Sequence, residues 1–290
     1  MISIIIPTFN NLDYLKLAIE SIQKNSKLPN EIILHVNEGN DGTLDYVKKN
    51  NYKYSYSEIN NGMCIGCNKA ASISIYDLIL YAHDDMYFCP NWDQYLIEEV
   101  NKLNTKLFYL SGTMINGDPK LNGHLNFYAG ETAKTFDELR LLKNYMSLNC
   151  DDFQGSTWAP HLIHKEVWNK VGGFSVEFSP GTGSDPDLNM KLWKLGVRIF
   201  KGVSKSRVYH FGSVVTRQKE KKFFSITDTG NKGNKIFLKK WGINIRFFKK
   251  HYLRSDTKFE GLLKEPNKNI NYYLDLLKVK LTLFYIKLFN

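Results

Sequence analysis

The chain is short of several things, and each shortage excludes something. No run of about 18 apolar residues occurs in its 290 residues, so no membrane-crossing helix is expected. Only four cysteines are present: Cys64, Cys67, Cys89 and Cys150. Cys64 and Cys67 have C-x-x-C spacing, but no second C-x-x-C and no H-x-x-x-H follows, which argues against a structural zinc site. Both fall inside a helical pattern and read as reduced thiols packed in a core. No secretory leader pattern opens the chain; Met1-Ile2-Ser3-Ile4 begins directly as a strand, and a cytoplasmic protein is the expectation. No internal repeat is visible. Acidic residues are in deficit, 29 Asp and Glu against 39 Lys and Arg, for a formal net charge of +10. A basic surface suits acidic ligands such as nucleotide diphosphates or anionic lipid, although a solvated lysine-rich face accounts for the charge equally well.

With 43% hydrophobic and 14% aromatic residues, the chain can bury one large core or two small ones, which excludes disorder. Its first part alternates strand and helix signals. Ser3 to Pro7, Glu31 to Val36, Tyr52 to Tyr56 and Leu78 to His83 read as strands. Tyr14, Leu15, Ala18, Ile19 and Ile22 recur at helical spacing, and Met63 to Ser74 reads as a further helix. Alternation of this kind predicts a parallel sheet with crossover helices. Further on, helices are expected over Trp92 to Leu103, Thr135 to Tyr145 and Leu188 to Leu195. Strands are expected at Leu107 to Met114, Val197 to Phe200 and Arg207 to His210. The composition turns lysine-rich near Val214, which places a boundary between residues 1–214 and a mainly helical, basic extension over 215–290.

The most informative stretch is Leu78-Ile79-Leu80-Tyr81-Ala82-His83-Asp84-Asp85. A buried strand ends abruptly in two adjacent carboxylates, at the strand end where open α/β sheets bind ligands. Side by side they repel unless a cation neutralises them. Oxygen ligands suit Mg2+ or Mn2+, which in turn would bind nucleotide phosphates. A solvated acidic turn is the plain alternative. Pro7-Thr8-Phe9-Asn10 also ends a strand, where its backbone and Thr8 can face a base or ribose, or where Asn10 can simply cap the next helix.

Taken together, these motifs resemble the family 2 glycosyltransferases. The pieces run in order: Ser3-Ile4-Ile5-Ile6-Pro7-Thr8-Phe9-Asn10, then Val36-Asn37-Glu38-Gly39-Asn40-Asp41-Gly42-Thr43, then His83-Asp84-Asp85 in the place of a D-x-D motif. Val171-Gly172-Gly173-Phe174, Ser184-Asp185-Pro186-Asp187-Leu188 and Tyr209-His210-Phe211 follow. The resemblance covers about residues 1 to 215. It implies an α/β fold of the GT-A, Rossmann-like type: a mostly parallel sheet flanked by helices. It implies a nucleotide-diphosphate sugar as donor, a Mn2+ or Mg2+ cofactor, inversion, and a role in polysaccharide, glycan or glycolipid synthesis. By the same resemblance Asp185 is the catalytic base, Asp85 and His210 hold the metal, and Pro7, Thr8, Phe9, Asn10, Glu38 and Asp84 contact the nucleotide. His83 departs from the family pattern, which often has Asp or Asn there; its imidazole can hydrogen-bond a ribose or phosphate. Arg217, with Lys219, Lys221 and Lys222, reads either as a group that neutralises the diphosphate or as a solvated charge run. Asp187 is expected to orient the loop or cap a helix beginning near Leu188. Trp158 reads as core or as a sugar platform.

Two other classes stay open. A nucleotidyltransferase needs a Gly-rich phosphate loop and a Lys soon after the first strand, and Pro7-Thr8-Phe9-Asn10 is not one. A non-catalytic nucleotide-sugar-binding or membrane-surface adaptor would explain the basic tail but not acidic residues at successive strand ends. Residues 272–289 read as a basic amphipathic helix that either packs on the core or a second subunit, or lies on an anionic membrane. The acceptor is expected to be a glycan, lipid-linked or protein hydroxyl; nucleic acid is not expected as a partner, and a homo-oligomer is left open.

Overall fold

In a computed structural model, residues 1–116, 125–212, 226–255 and 257–289 are described. The first strand, β1 (Ile2–Phe9), is almost wholly buried. Its Ile run is sandwiched between strands on both sides and helices on both faces, the environment that continuous apolar runs require. It pairs in parallel with β2 (Asn30–Asn37) and with β4 (Leu78–Tyr81), and β2 pairs in parallel with β3 (Lys53–Ser57). The crossovers are α1 (Leu12–Asn25), α2 (Thr43–Lys49) and α3 (Met63–Ser72). On α1 the buried side includes Tyr14, Leu15, Ala18, Ile19 and Ile22, the spacing read from the sequence. On α3, Gly66 lies against the sheet; a Cβ there would stand 2.6 Å from the His35 ring and 3.3 Å from Pro7 Cβ.

The remaining strands are β5 (Met86–Phe88), β6 (Phe108–Asn116), β7 (Leu125–Asn126), β8 (Phe153–Gln154), β9 (His161–His164) and β10 (Ile199–His210). The sheet runs in the order β3-β2-β1-β4-β9-β6-β10-β5, with β7 on β6 and β8 on β10. Antiparallel β9 joins the two parallel parts, and antiparallel β5 closes the edge. The helices on this part include α4 (Trp92–Asn101), α5 (Glu138–Asn144), α6 (Lys165–Val171) and α7 (Ser184–Leu195).

Several expectations need correction. The two short strands expected within 197–210 are one, β10, whose pairing with β6 shifts register between Gly202 and Arg207. β9 went unread because four residues of mixed polarity carry no clear period. Helix α7 begins at Ser184, not near Leu188, so Asp185 and Asp187 lie in its first turn and Gly183 precedes it in the left-handed conformation. Asn10 caps nothing: α1 has Asn11 at its N-cap position and no side-chain cap. All four cysteines are free, and Cys64 and Cys67 are buried on α3; burial pushes the Cys64 thiol up to about 12.

The boundary expected at 214 lies outside the described residues. Beyond it come the helix Ile226–Trp241, the turns Ile245–Phe247 and Phe248–Leu253, and the C-terminal helix Ile270–Phe289. Phe237, Phe247, Phe248, Leu253, Tyr272 and Val279 join the same apolar core as Ile4 and Leu80. No helix among the described residues is long and apolar enough to cross a membrane.

Candidate active site

β1 outruns its partner. The β1–β4 ladder ends at Ile5 opposite Tyr81, while β1 continues to Phe9 beside β2. The chain leaving β4 therefore bends over the exposed end of β1. There Thr8 Oγ1 donates to Asp84 Oδ2 at 2.7 Å. β1 also lies where strand order changes direction, between β2 and β4, and the crevice beyond such a point is the usual ligand site of an open α/β sheet.

A second register sets the other half. Antiparallel β5 and β10 place Met86 opposite His210, so Asp85, one residue earlier, meets the end of β10. Phe211 N donates to the Asp85 carbonyl at 3.1 Å, fixing this corner. His210 Nε2 stands 3.4 Å and His83 Nδ1 3.8 Å from Asp85 Oδ1, with 3.5 Å between the two ring nitrogens. One ligand atom from each of His83, Asp85 and His210 can thus lie within 4.8 Å of the others. Burial holds His83 down at about 4, with its neighbours Asp85 and His210 acting in opposite directions. Its ring is therefore neutral at ordinary pH and can offer a lone pair. Burial, and then the Asp85 charge, pushes Asp84 up to about 7.

The second acidic loop is tied down rather than open. Asn10 Oδ1 accepts from Gly39 N (3.0 Å) and Asn40 N (2.9 Å), and its Nδ2 donates to Glu38 Oε2 at 3.2 Å. Asn10 and Glu38 both have positive φ, 47° and 59°, so this junction carries backbone strain that the cross-links hold.

The cleft these elements enclose has a volume of about 360 Å³. Pro7, Thr8, Phe9, His83, Asp84, Asp85 and Asp185 line it, so seven of the residues singled out from sequence share one space. Asn10 and Glu38 are outside its lining, as is His210, which reaches it through Asp85. Arg217 lies outside the described residues, as do Lys219, Lys221 and Lys222. Sequence reasoning missed Asn37, Tyr81, Gly62, Pro180 and Thr182 as lining residues. Trp158 is not in the lining; it stacks on Phe153 with ring centroids 6.4 Å apart.

Asp185 projects into this cleft from the first turn of α7. Its Oδ1 is buried without a hydrogen-bond partner, while 22% of the side chain stays open. Burial pushes the carboxyl up to about 7. Buried His161 lies close by, its Nδ1 3.9 Å from Asp185 Oδ1 and 3.0 Å from the Tyr109 hydroxyl. Asp187 is different. It is fully buried and accepts from Ser175 Oγ at 2.6 Å and Trp241 Nε1 at 2.8 Å, with Lys240 Nζ 3.0 Å away. It ties α7 to the following helix rather than facing the cleft.

The chain is similar to known proteins in sequence and in fold. Residues 3–158, more than half of the chain, match the family model described as glycosyl transferase family 2. Over 223 residues the chain is 26% identical to uncharacterized protein y4gI of Sinorhizobium fredii, covering 68% of this chain and 23% of that protein. It is 23% identical over 234 residues to O-antigen biosynthesis protein RfbC of Myxococcus xanthus, covering 72% of this chain and 17% of that one. The chain thus spans less than a quarter of the length of either curated relative. Among solved structures, S. aureus TarS 1-349 in complex with UDP superposes with a TM-score of 0.53 at 16% identity, over 72% of this chain and 59% of that one. GalNAc-T7 with UDP, GalNAc and Mn2+ superposes with a TM-score of 0.54 at 18% identity, over 72% and 43%. The fold is shared with both. On its family match and its sheet, the chain belongs to glycosyl transferase family 2 and has the GT-A fold.

Proposed function

We propose that the chain transfers a sugar from a nucleotide-diphosphate sugar to an acceptor hydroxyl, inverting the anomeric centre in one displacement. The observation that carries this reading is the meeting of two chemistries in one cleft: the His83, Asp85 and His210 cluster, and an Asp185 carboxylate with an unpartnered oxygen. The ends of β1 and β2, with Pro7, Thr8, Phe9 and Asn37, form the wall for the base and ribose. Asn10 and Glu38 keep the loop beside that wall in shape. Asp185 takes the proton of the acceptor hydroxyl as it attacks; a carboxylate raised to about 7 is a much better base than an ordinary one and is still ionised in part at neutral pH. The helix Ile226–Trp241 braces the acidic helix, since Trp241 and Lys240 hold Asp187.

The cluster fits a divalent ion by its donors: one buried carboxylate and two imidazoles, one of them held neutral by burial. His83, Asp85 and His210 would hold it. Two nitrogen donors favour Mn2+ over Mg2+, which prefers oxygen and water. Such an ion, when bound, neutralises the departing diphosphate. The Mn2+ and UDP of the related structures, and the O-antigen name of one relative, support the donor, the metal and a polysaccharide or glycan acceptor.

Calorimetry with UDP and with GDP, each with and without Mn2+, is the test. Tight binding of one diphosphate only with Mn2+ is expected, weaker with Mg2+. Equal affinity with and without the ion would remove the metal from the mechanism.

A further inference from the structure

The C-terminal helix Ile270–Phe289 is apolar on two opposite sides. Tyr272, Val279 and Ile286 are buried, and Leu276 and Leu283 pack against the core beside them. At about 100° per residue these five positions form one stripe. Opposite them, Ile270, Tyr273, Leu274, Leu277, Leu281, Phe284 and Tyr285 are 51–75% exposed. They form a second stripe roughly 120° wide. Monomeric proteins rarely leave so continuous an apolar strip in water.

We propose that this outer stripe lies on an anionic lipid surface. Charge placement selects that occupant. Lys278 and Lys280, both exposed, border the stripe on its two sides, about 80° from its centre, where their stems can lie along the apolar face and their ammonium groups reach headgroups. Tyr273 and Tyr285 also stand near its two edges, where amphipathic rings favour the headgroup level. No acidic residue belongs to the exposed stripe. Asp275, nearer the buried side, is held by Lys250 at 2.7 Å and His251 at 3.0 Å, with Lys278 Nζ 4.0 Å away and the Lys278 side chain still exposed. Along the Lys278 edge runs a cleft of about 240 Å³ lined by Arg246, Lys250, Lys278 and Thr282, with Asp275 as its one carboxylate. Three cations against one anion suit a lipid phosphate. A second copy would bring lysine-bordered stripe against lysine-bordered stripe, and the chain's charge of +10 opposes that pairing.

Sedimentation of the 290-residue chain with phosphatidylcholine vesicles, and with vesicles that also contain phosphatidylglycerol, tests this. Binding to the anionic vesicles and little to the neutral ones is expected. Lys278→Gln and Lys280→Gln should each weaken it by about fivefold. The triple variant Leu277→Ser, Leu281→Ser, Phe284→Ser should lose binding with its melting temperature little changed, because those side chains are 57–62% exposed and lie outside the packed core. Inorganic phosphate should not displace the protein, since most of the contact is apolar. Failure to bind either vesicle would overturn the proposal. So would a dimer by light scattering that the triple variant abolishes while vesicle binding is absent.

Discussion

The loop after β4 and the first turn of α7 each carry two carboxylates, and in each place the two have different surroundings. Asp187 has three polar neighbours and no exposure; Asp185, two residues earlier in the same turn, has a buried oxygen with none. After β4, Asp84 is held by Thr8 while Asp85 faces two imidazoles. Spacing alone does not separate the members of either pair. What separates them is which neighbours the fold supplies. An unsatisfied buried oxygen costs about 1–3 kcal/mol, and retaining that cost beside a cleft points to a role with substrate.

Substitution can break the α7 contrast most sharply. Asp185→Asn keeps shape and removes basicity, so turnover should fall by roughly 10²- to 10⁴-fold with donor affinity nearly unchanged. Steady-state kinetics beside calorimetry reads both; if an acceptor is not in hand, metal-dependent hydrolysis of the donor serves. Next in size, Asp85→Ala should weaken Mn2+-dependent UDP binding by at least about 10- to 100-fold. His83→Ala should weaken it less and narrow the preference for Mn2+ over Mg2+. Unchanged metal preference in His83→Ala would return that imidazole to a hydrogen-bonding role.

Stability sharpens the same contrast with opposite signs. Asp185 holds its proton to about 7 in the fold but only to 3.8 when unfolded, so the folded state binds more protons between those values. Stability must therefore fall as pH rises through that window. Asp185→Asn removes the effect and should melt higher than the parent near pH 8, with little difference near pH 4. Asp187→Asn should melt lower by roughly 1–3 kcal/mol of lost stability, because it weakens a buried pairing with Lys240. Its effect on turnover should be the smallest, less than about tenfold, since an amide still accepts from Trp241. Thermal melts across pH for both variants check the pair.

The sheet was legible where its strands are long and apolar. Ser3 to Pro7 and Leu78 to His83 read as buried strands from their apolar runs, and the helix after the first shows its spacing in Leu15, Ala18, Ile19 and Ile22. The site was legible where chemistry sits next to a strand end, as in Thr8, Asp84 and Asp85. What stayed hidden depends on pairing at a distance. β9 is four residues long, and nothing in His161–His164 announces that it will pair with β4 and β6 together. Asn37 and Tyr81 look like strand interior; only the unequal lengths of β1, β2 and β4 open them to the cleft. Asn10 resembled a helix cap because the sequence does not say that Gly39 and Asn40 would fold back onto it. The partners of Asp187, Trp241 and Lys240, lie more than fifty residues on. Nor could the two-sided C-terminal helix be read from periodicity, since both of its faces are apolar.

The most direct measurement is the pH dependence of sugar transfer in the parent chain and in Asp185→Asn, at saturating donor and Mn2+. A base must be ionised to act, so the parent should show a limb that rises with pH through about 7, the value to which burial brings Asp185. The variant should be slow and flat across that range. If Asp185→Asn keeps both the rate and the rising limb, the proton goes elsewhere and Asp185 is not the base.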